Sequence, residues 1–227
     1  MKLKGALIKP GDLSAAQKEQ MYKLMARYYR NADKARFLDD LFEKDKVEIL
    51  FDEEGTVRGF TTLKTLDGPE QGIKAVFSGD TIIDEAFRGE LEIVKVWYKF
   101  VLEEKAKHPH ARFYWFLISK GYRTYKLMPS FLKNFYPCCN EPTPPDMKRL
   151  TDWFAGQRYG ADYDPTSGII RYAGLYDTFA DADVKRDDPH TQYFVKANPR
   201  FAEGDELACL ASLEDDNLSN FCKRFIV

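Results

Sequence analysis

Three histidines, four cysteines and a few well-placed acids set the reactions this chain could run. His108 and His110 flank Pro109 at a predicted helix end, and His190 sits in an acidic DDPH turn. Cationic residues at a helix terminus explain the first two without a metal. Cys138 and Cys139 are adjacent and would pair only under strain, and neither Cys209 nor Cys222 lies in a CxxC spacing. No GxGxxG follows a strand, and neither GxxxxGK[ST] nor GxSxG occurs. Titratable side chains gather in two segments, Asp80, Asp84 and Glu85 in SGDTIIDEAFRGE, and Tyr122 and Tyr125 in SKGYRTYKLMP. Lys120, Arg123 and Lys126 recur every three residues in the second segment, where one helix face would collect them.

The elements that must hold these residues can be read from periodicity. Ser14 is an N-cap for a helix to Arg30, and a second helix spans Asp33 to Lys44. VEILF and Val57–Leu66 form a hairpin about DEEG, and a third strand runs from Lys74 to Asp84. Gly79 inside that strand marks a bulge or a close backbone approach. Ile93, Val94, Trp97, Phe100 and Val101 give the next helix, Glu90 to Lys107, a broad apolar face. FYWFLI is continuously apolar, as a strand covered on both sides must be. A helix from Lys120 to near Pro129 follows, and then a cluster of prolines from Pro129 to Pro145. Beyond it the pattern predicts a helix from Asp146 to Gln157, strands at Ile169–Tyr176, Gln192–Ala197 and Glu206–Leu213, and a last helix near Asn217–Phe225. These elements make an α/β chain, an α+β mixed sheet flanked by helices. It divides into residues 1–137 and a C-terminal α/β extension, 138–227, which would continue the sheet or close as a lid.

Bulk properties narrow the class. Of 227 residues, 44% are hydrophobic, enough for a packed core. The net charge of −2 gives no electrostatic case for nucleic-acid binding. The N-terminal apolar patch is too short for a signal-peptide core, and no run is long enough for a membrane span. With unpaired thiols, these features point to a cytoplasmic protein.

The order helix–helix–hairpin–strand–helix–strand–helix, with IIDEAFRGE leaving the third strand, resembles the GNAT superfamily of N-acyltransferases. In that family a strand-exit turn opens the next helix and holds the pyrophosphate of acyl-CoA on backbone N–H groups. Arg88 and Gly89 match the turn in place; Leu91 and Ile93 stand where the family carries glycine and glycine or alanine. The resemblance therefore implies a donor held largely through its pantetheine arm, either acyl-CoA or the acyl-phosphopantetheine of an acyl carrier protein. It implies no tightly bound cofactor. Lys120 and Arg123 would contact phosphate or carrier, and Gly79 would supply a bulge that polarises the thioester. Asp80, Asp84 or Glu85 would act as base toward the amine of a small molecule or a protein, and Tyr122 or, by preference, Tyr125 would protonate the departing thiolate. The alternative is a GNAT-like scaffold without catalysis, serving as a ligand-binding or interaction module.

Overall fold

The computed structural model describes residues 3–171, 176–177 and 187–226. In chain order the strands are β1 (Lys4–Ile8), β2 (Tyr29–Arg30), β3 (Lys46–Phe51), β4 (Val57–Asp67), β5 (Ile73–Ile83), β6 (Arg112–Ser119), β7 (Tyr163–Asp164), β8 (Ile169–Ile170), β9 (Tyr176–Asp177) and β10 (Glu206–Ser212). The helices are α1 (Ala15–Tyr28), α2 (Lys34–Phe42), α3 (Glu92–Lys107), α4 (Tyr122–Tyr125), α5 (Leu127–Phe131), α6 (Pro145–Tyr159), α7 (Pro189–Ala197) and α8 (Asn220–Ile226).

Eight strands form one mixed sheet in the order β1-β3-β4-β5-β6-β10-β8-β7, and β2 pairs separately with β9. Every neighbouring pair in the large sheet is antiparallel except β5–β6, which α3 connects as a crossover. FYWFLI is therefore central, with β5 on one side and β10 on the other, and both of its faces are covered. Helices α1 and α2 pack with α6 on one face. Met21, Leu24, Phe37 and Leu41 meet Ile49 and Phe60 there, while Phe154 and Leu150 meet Phe77 and Phe116. Helices α3, α4, α5 and α7 cover the opposite face around Trp97, Phe100, Trp115 and Phe194.

Local chemistry fixes the ends of these elements. Ser14 and Gln17 form a reciprocal capping box on α1 (3.1 and 2.8 Å), and Asp33 caps α2 through Arg36 N (2.7 Å). The segment Gln192–Ala197, expected as a strand, is the body of α7. Asp188 accepts from Thr191 N (2.8 Å) and Pro189 occupies the first turn, a start signal that outweighs the β-favouring Tyr193, Phe194 and Val195. The strand expected at Ile169–Tyr176 is shorter: Ile169–Ile170 pair with β10, and residues 172–175 lie outside those described. The helix expected from Lys120 is two short helices, α4 and α5. Strand β1 was not expected at all; five residues at a sheet edge carry too little pattern to register.

The sheet continues across residue 137. Strand β10 lies beside β6 through six residue pairs, and Tyr136 bridges to Leu210. The C-terminal third thus enters the same core. Among the described residues, no helix is long and apolar enough to cross a membrane.

Candidate active site

The β5–β6 ladder begins at Ile73–Arg112 and stops at Ser78–Leu117. Strand β5 continues to Ile83 against β4 alone, so its β6-facing edge is uncovered by strand from Gly79 onward. At the same point the ladder to β4 slips, from Leu63–Ser78 to Thr61–Thr81. Two residues, Gly79 and Asp80, therefore stand opposite Thr62 as a bulge.

The bulge changes the parity of the strand. Ser78 accepts from Nε1 of Trp97 (3.1 Å) and of Trp115 (3.0 Å) on the α3 face, and Thr81, three residues on, lines that same face beside Trp97. Phe77 and Ile82 both pack on the other face. Regular alternation would place each of these pairs on opposite faces. Gly79 and Asp80 are left opening towards α1, α2 and α6.

Two clefts meet at this bulge. On one side, Arg88, Gly89, Thr81, Arg123 and Leu127 line a cleft of about 290 Å³, with Tyr28 and Tyr29 on its wall. It shares Thr81, Ile83 and Leu127 with an apolar slot of about 50 Å³ beside Trp97 and Trp115. On the other side, Asp80, Lys120, Arg158 and Glu206 line a charged cleft of about 90 Å³. A small space holding Gly79, Asp80, Tyr29, Thr81 and Thr124 draws lining residues from both.

The charged cleft is built of paired ions. Lys120 Nζ lies 3.3 Å from Glu206, and both side chains are almost wholly buried. Arg158 donates to Asp40 (3.1 Å) and lies 4.4 Å over the ring of Phe77. Lys44 also binds Asp40, and burial lowers its pKa. Burial raises the Asp80 carboxyl to about 6, Asp40 and Glu206 adding to the effect while Lys44 and Lys120 oppose it. Asp80 therefore titrates closer to neutral pH than an ordinary aspartate, in the charged cleft and the connecting space.

The expected site residues divide by position. Gly79 and Asp80 come together at the bulge, and Arg88, Gly89 and Arg123 line the larger cleft. Gly89 has φ of +96°, a left-handed turn conformation suited to glycine. Lys120, expected beside a donor phosphate, turns instead to Glu206 in the charged cleft, because β10 brings that carboxylate next to the end of β6. Glu85 is exposed in a turn whose backbone is fixed by Glu85 N donating to Tyr28 Oη (2.9 Å), and it lines neither cleft. Tyr125 is also displaced from its expected role. Helix α4 is one turn long and points Tyr122 and Tyr125 inward together, leaving Arg123 and Thr124 for the cleft. Tyr125 is fully buried, donates to Pro137 O (2.8 Å) and packs on Phe135, Tyr193 and Phe194; burial raises its pKa far above the usual phenol range.

Sequence reasoning missed Tyr29, Arg158 and Glu206. Tyr29 follows the last residue of α1 and lines both the larger cleft and the connecting space. Arg158 and Glu206 come from distant chain segments, and only the tertiary fold brings them beside Asp80. It also missed a contact away from the clefts. Cys139 Sγ lies 3.4 Å from His190 Nδ1, because α7 returns against the proline-rich segment.

No protein-family description and no curated protein matches this chain. Solved structures do show likeness over about half of it. The GNAT family N-acetyltransferase YhbS from Escherichia coli, in complex with CoA, aligns at 15% identity over 53% of this chain and 64% of that one, with a TM-score of 0.41. An aminoglycoside acetyltransferase from an uncultured soil metagenomic sample, in complex with sisomicin, aligns at 15% over 51% and 76%, TM-score 0.40. Glucosamine-6-phosphate N-acetyltransferase from Arabidopsis thaliana aligns at 16% over 52% and 82%, TM-score 0.37.

Proposed function

We propose that this chain is a GNAT-like N-acyltransferase, moving an acyl group from a pantetheine thioester to an amine. The observation that carries this reading is the bulge at Gly79–Asp80, where β5 parts from β6 and two chemically different clefts meet. The larger cleft suits the donor. Arg88 and Arg123 offer guanidinium groups to phosphate, and the β5 edge beyond Ser78 can receive the amides of an extended pantetheine arm. The charged cleft suits the amine.

In the step we infer, Asp80 takes a proton from the ammonium or the attacking amine. The amine nitrogen bonds to the thioester carbonyl carbon, the C–S bond breaks, and the thiolate leaves with a proton. Tyr29, common to the larger cleft and the connecting space, is placed to supply that proton. No covalent enzyme intermediate is required. The donor is acyl-CoA or the acylated arm of a carrier protein.

A second reading, a scaffold that binds without catalysis, draws on one observation. Ile93 lines the apolar slot at the start of α3, and Leu91 stands at its N-cap, where bulk limits approach of a diphosphate to the backbone. Incubation with acetyl-CoA, a long-chain acyl-CoA and an acyl carrier protein, with a panel of amines, separates the two. Release of thiol with formation of an N-acyl product supports the enzyme. Saturable donor binding with no product on any amine supports the scaffold.

A further inference from the structure

Within the transferase reading, the charged cleft carries information about the acceptor. Its charged lining residues alternate in sign: Glu206 is held by Lys120, and Asp40 by Arg158 and Lys44. A plain cation entering it meets the buried Lys120 and the half-buried Arg158, and a plain anion meets Asp80 and Glu206. A molecule carrying both signs a few bonds apart meets an opposite partner at each end.

One atom marks where the negative end belongs. Arg158 is fixed on one edge by Asp40 (3.1 Å) and on its face by Phe77 (4.4 Å). Its Nε is buried and donates to nothing. A guanidinium presents donors in a planar fork, and leaving a charged donor unmet in a buried place is costly. Arg158 lines the cleft, and with a small shift of its neighbours a carboxylate of the acceptor would take up that donor. The positive end then belongs to Asp80, the acid on the bulge that borders the donor cleft.

We propose that the acceptor is a small zwitterion of the α-amino-acid class, its carboxylate taken by the Nε edge of Arg158 and its amine presented at Asp80. The cleft of about 90 Å³ accommodates the amino and carboxyl groups with a short connection between them, and any longer side chain extends outward towards the exposed Asp33 and Arg36. This inference rests on the transferase reading for its chemistry but not for its binding, so each can fail alone.

The test uses the whole chain and three matched pairs: L-alanine with ethylamine, L-phenylalanine with phenethylamine, and L-lysine with cadaverine. Ligand-observed NMR measures binding without turnover, and mass spectrometry reads N-acyl products with acetyl-CoA. The expected result is that an amino acid binds roughly tenfold or more tightly than its decarboxylated partner, the size of one charge-assisted hydrogen bond. Arg158→Gln abolishes that difference. Arg158→Lys keeps the charge near Asp40 but lacks the planar fork, and it also loses the preference, which guards against simple misfolding of the first variant. Equal binding of both members of each pair, or an amino-acid preference that survives in Arg158→Lys, overturns the proposal. Preferential binding of amino acids without acyl transfer supports the acceptor class and counts against the transferase reading. Transfer confined to the plain amines does the reverse.

Discussion

A side chain placed on Gly79 would meet Oγ1 of Thr62 at 2.5 Å, closer than any relaxed contact allows. The relationship ties the bulge to a single methyl-sized space between β5 and β4. Thr62 Oγ1 is itself buried without a hydrogen-bond partner. Gly79→Ala is therefore expected to destabilise the fold by about 1–3 kcal/mol and to displace Asp80. Thr62→Ala removes the opposing atom, so the double variant should recover part of that loss. Denaturant melts of the four species in a double-mutant cycle measure the coupling. Additive effects would mean that the two positions do not press on each other.

Asp80 makes a pH prediction in two independent readouts. As a base it works only when deprotonated, so kcat/KM should rise with pH through about 6 and then level off. Asp80→Asn should lower kcat by about 10²–10⁴-fold. Stability runs the opposite way. The folded pKa lies above the ordinary value of 3.8, so the folded state holds its proton more tightly, and stability declines as pH rises from 3.8 to about 6. Asp80→Asn should thus be more stable than the parent at neutral pH, by on the order of 1–2 kcal/mol. A flat activity profile between about pH 5 and 7 would remove Asp80 as the base.

Two tyrosines should separate by phenotype. Tyr29→Phe is expected to lower kcat by about 10²-fold with little change in Tm, because the residue borders the clefts. Tyr125→Phe strands the Pro137 carbonyl in the core and should cost about 1 kcal/mol of stability while sparing kcat. Steady-state rates and thermal melts on both proteins decide it; the reverse pattern would restore Tyr125 as the acid.

This contrast shows what local sequence could carry. The strand-exit phrase IIDEAFRGE and the glycine inside β5 located the bulge and one wall of the larger cleft, since a short contiguous segment forms both. Tyr125 was expected as the acid from the family's order of elements, which says on which helix a tyrosine stands and not which way that helix turns it. The inward turn of α4 depends on Phe135 and α7, far along the chain. Arg158 reaches Asp40 across 118 positions, and Glu206 reaches Lys120 only because β10 adds beside β6. No local pattern announces such pairs. Residues Gln192–Ala197 failed for a different reason, the weight given to β propensity over the Asp188–Pro189 helix start.

Glu48 offers a test of the core rather than the clefts. It is fully buried on β3, and neither carboxylate oxygen has a partner. Burial, with Glu92 nearby, raises its pKa well above the ordinary value. Because the folded state binds this proton more tightly, the group costs stability as pH rises above about 4.5 towards the folded pKa. Glu48→Met should stabilise the protein by about 1–3 kcal/mol, with a larger gain in Tm near pH 8 than near pH 5. An equal gain at both pH values would show that folded Glu48 binds no more protons than the unfolded chain over that range, so that its pKa is not raised.

Binding of a pantetheine thioester in the cleft beside Arg88, Gly89 and Arg123 is tested most directly by native mass spectrometry with acetyl-CoA, long-chain acyl-CoA and acyl carrier protein. The expected result is a one-to-one complex with at least one donor, lost in Arg88→Ala/Arg123→Ala and retained in Asp80→Asn. Absence of a complex with every donor, or one that persists unchanged in the double-arginine variant, would contradict it.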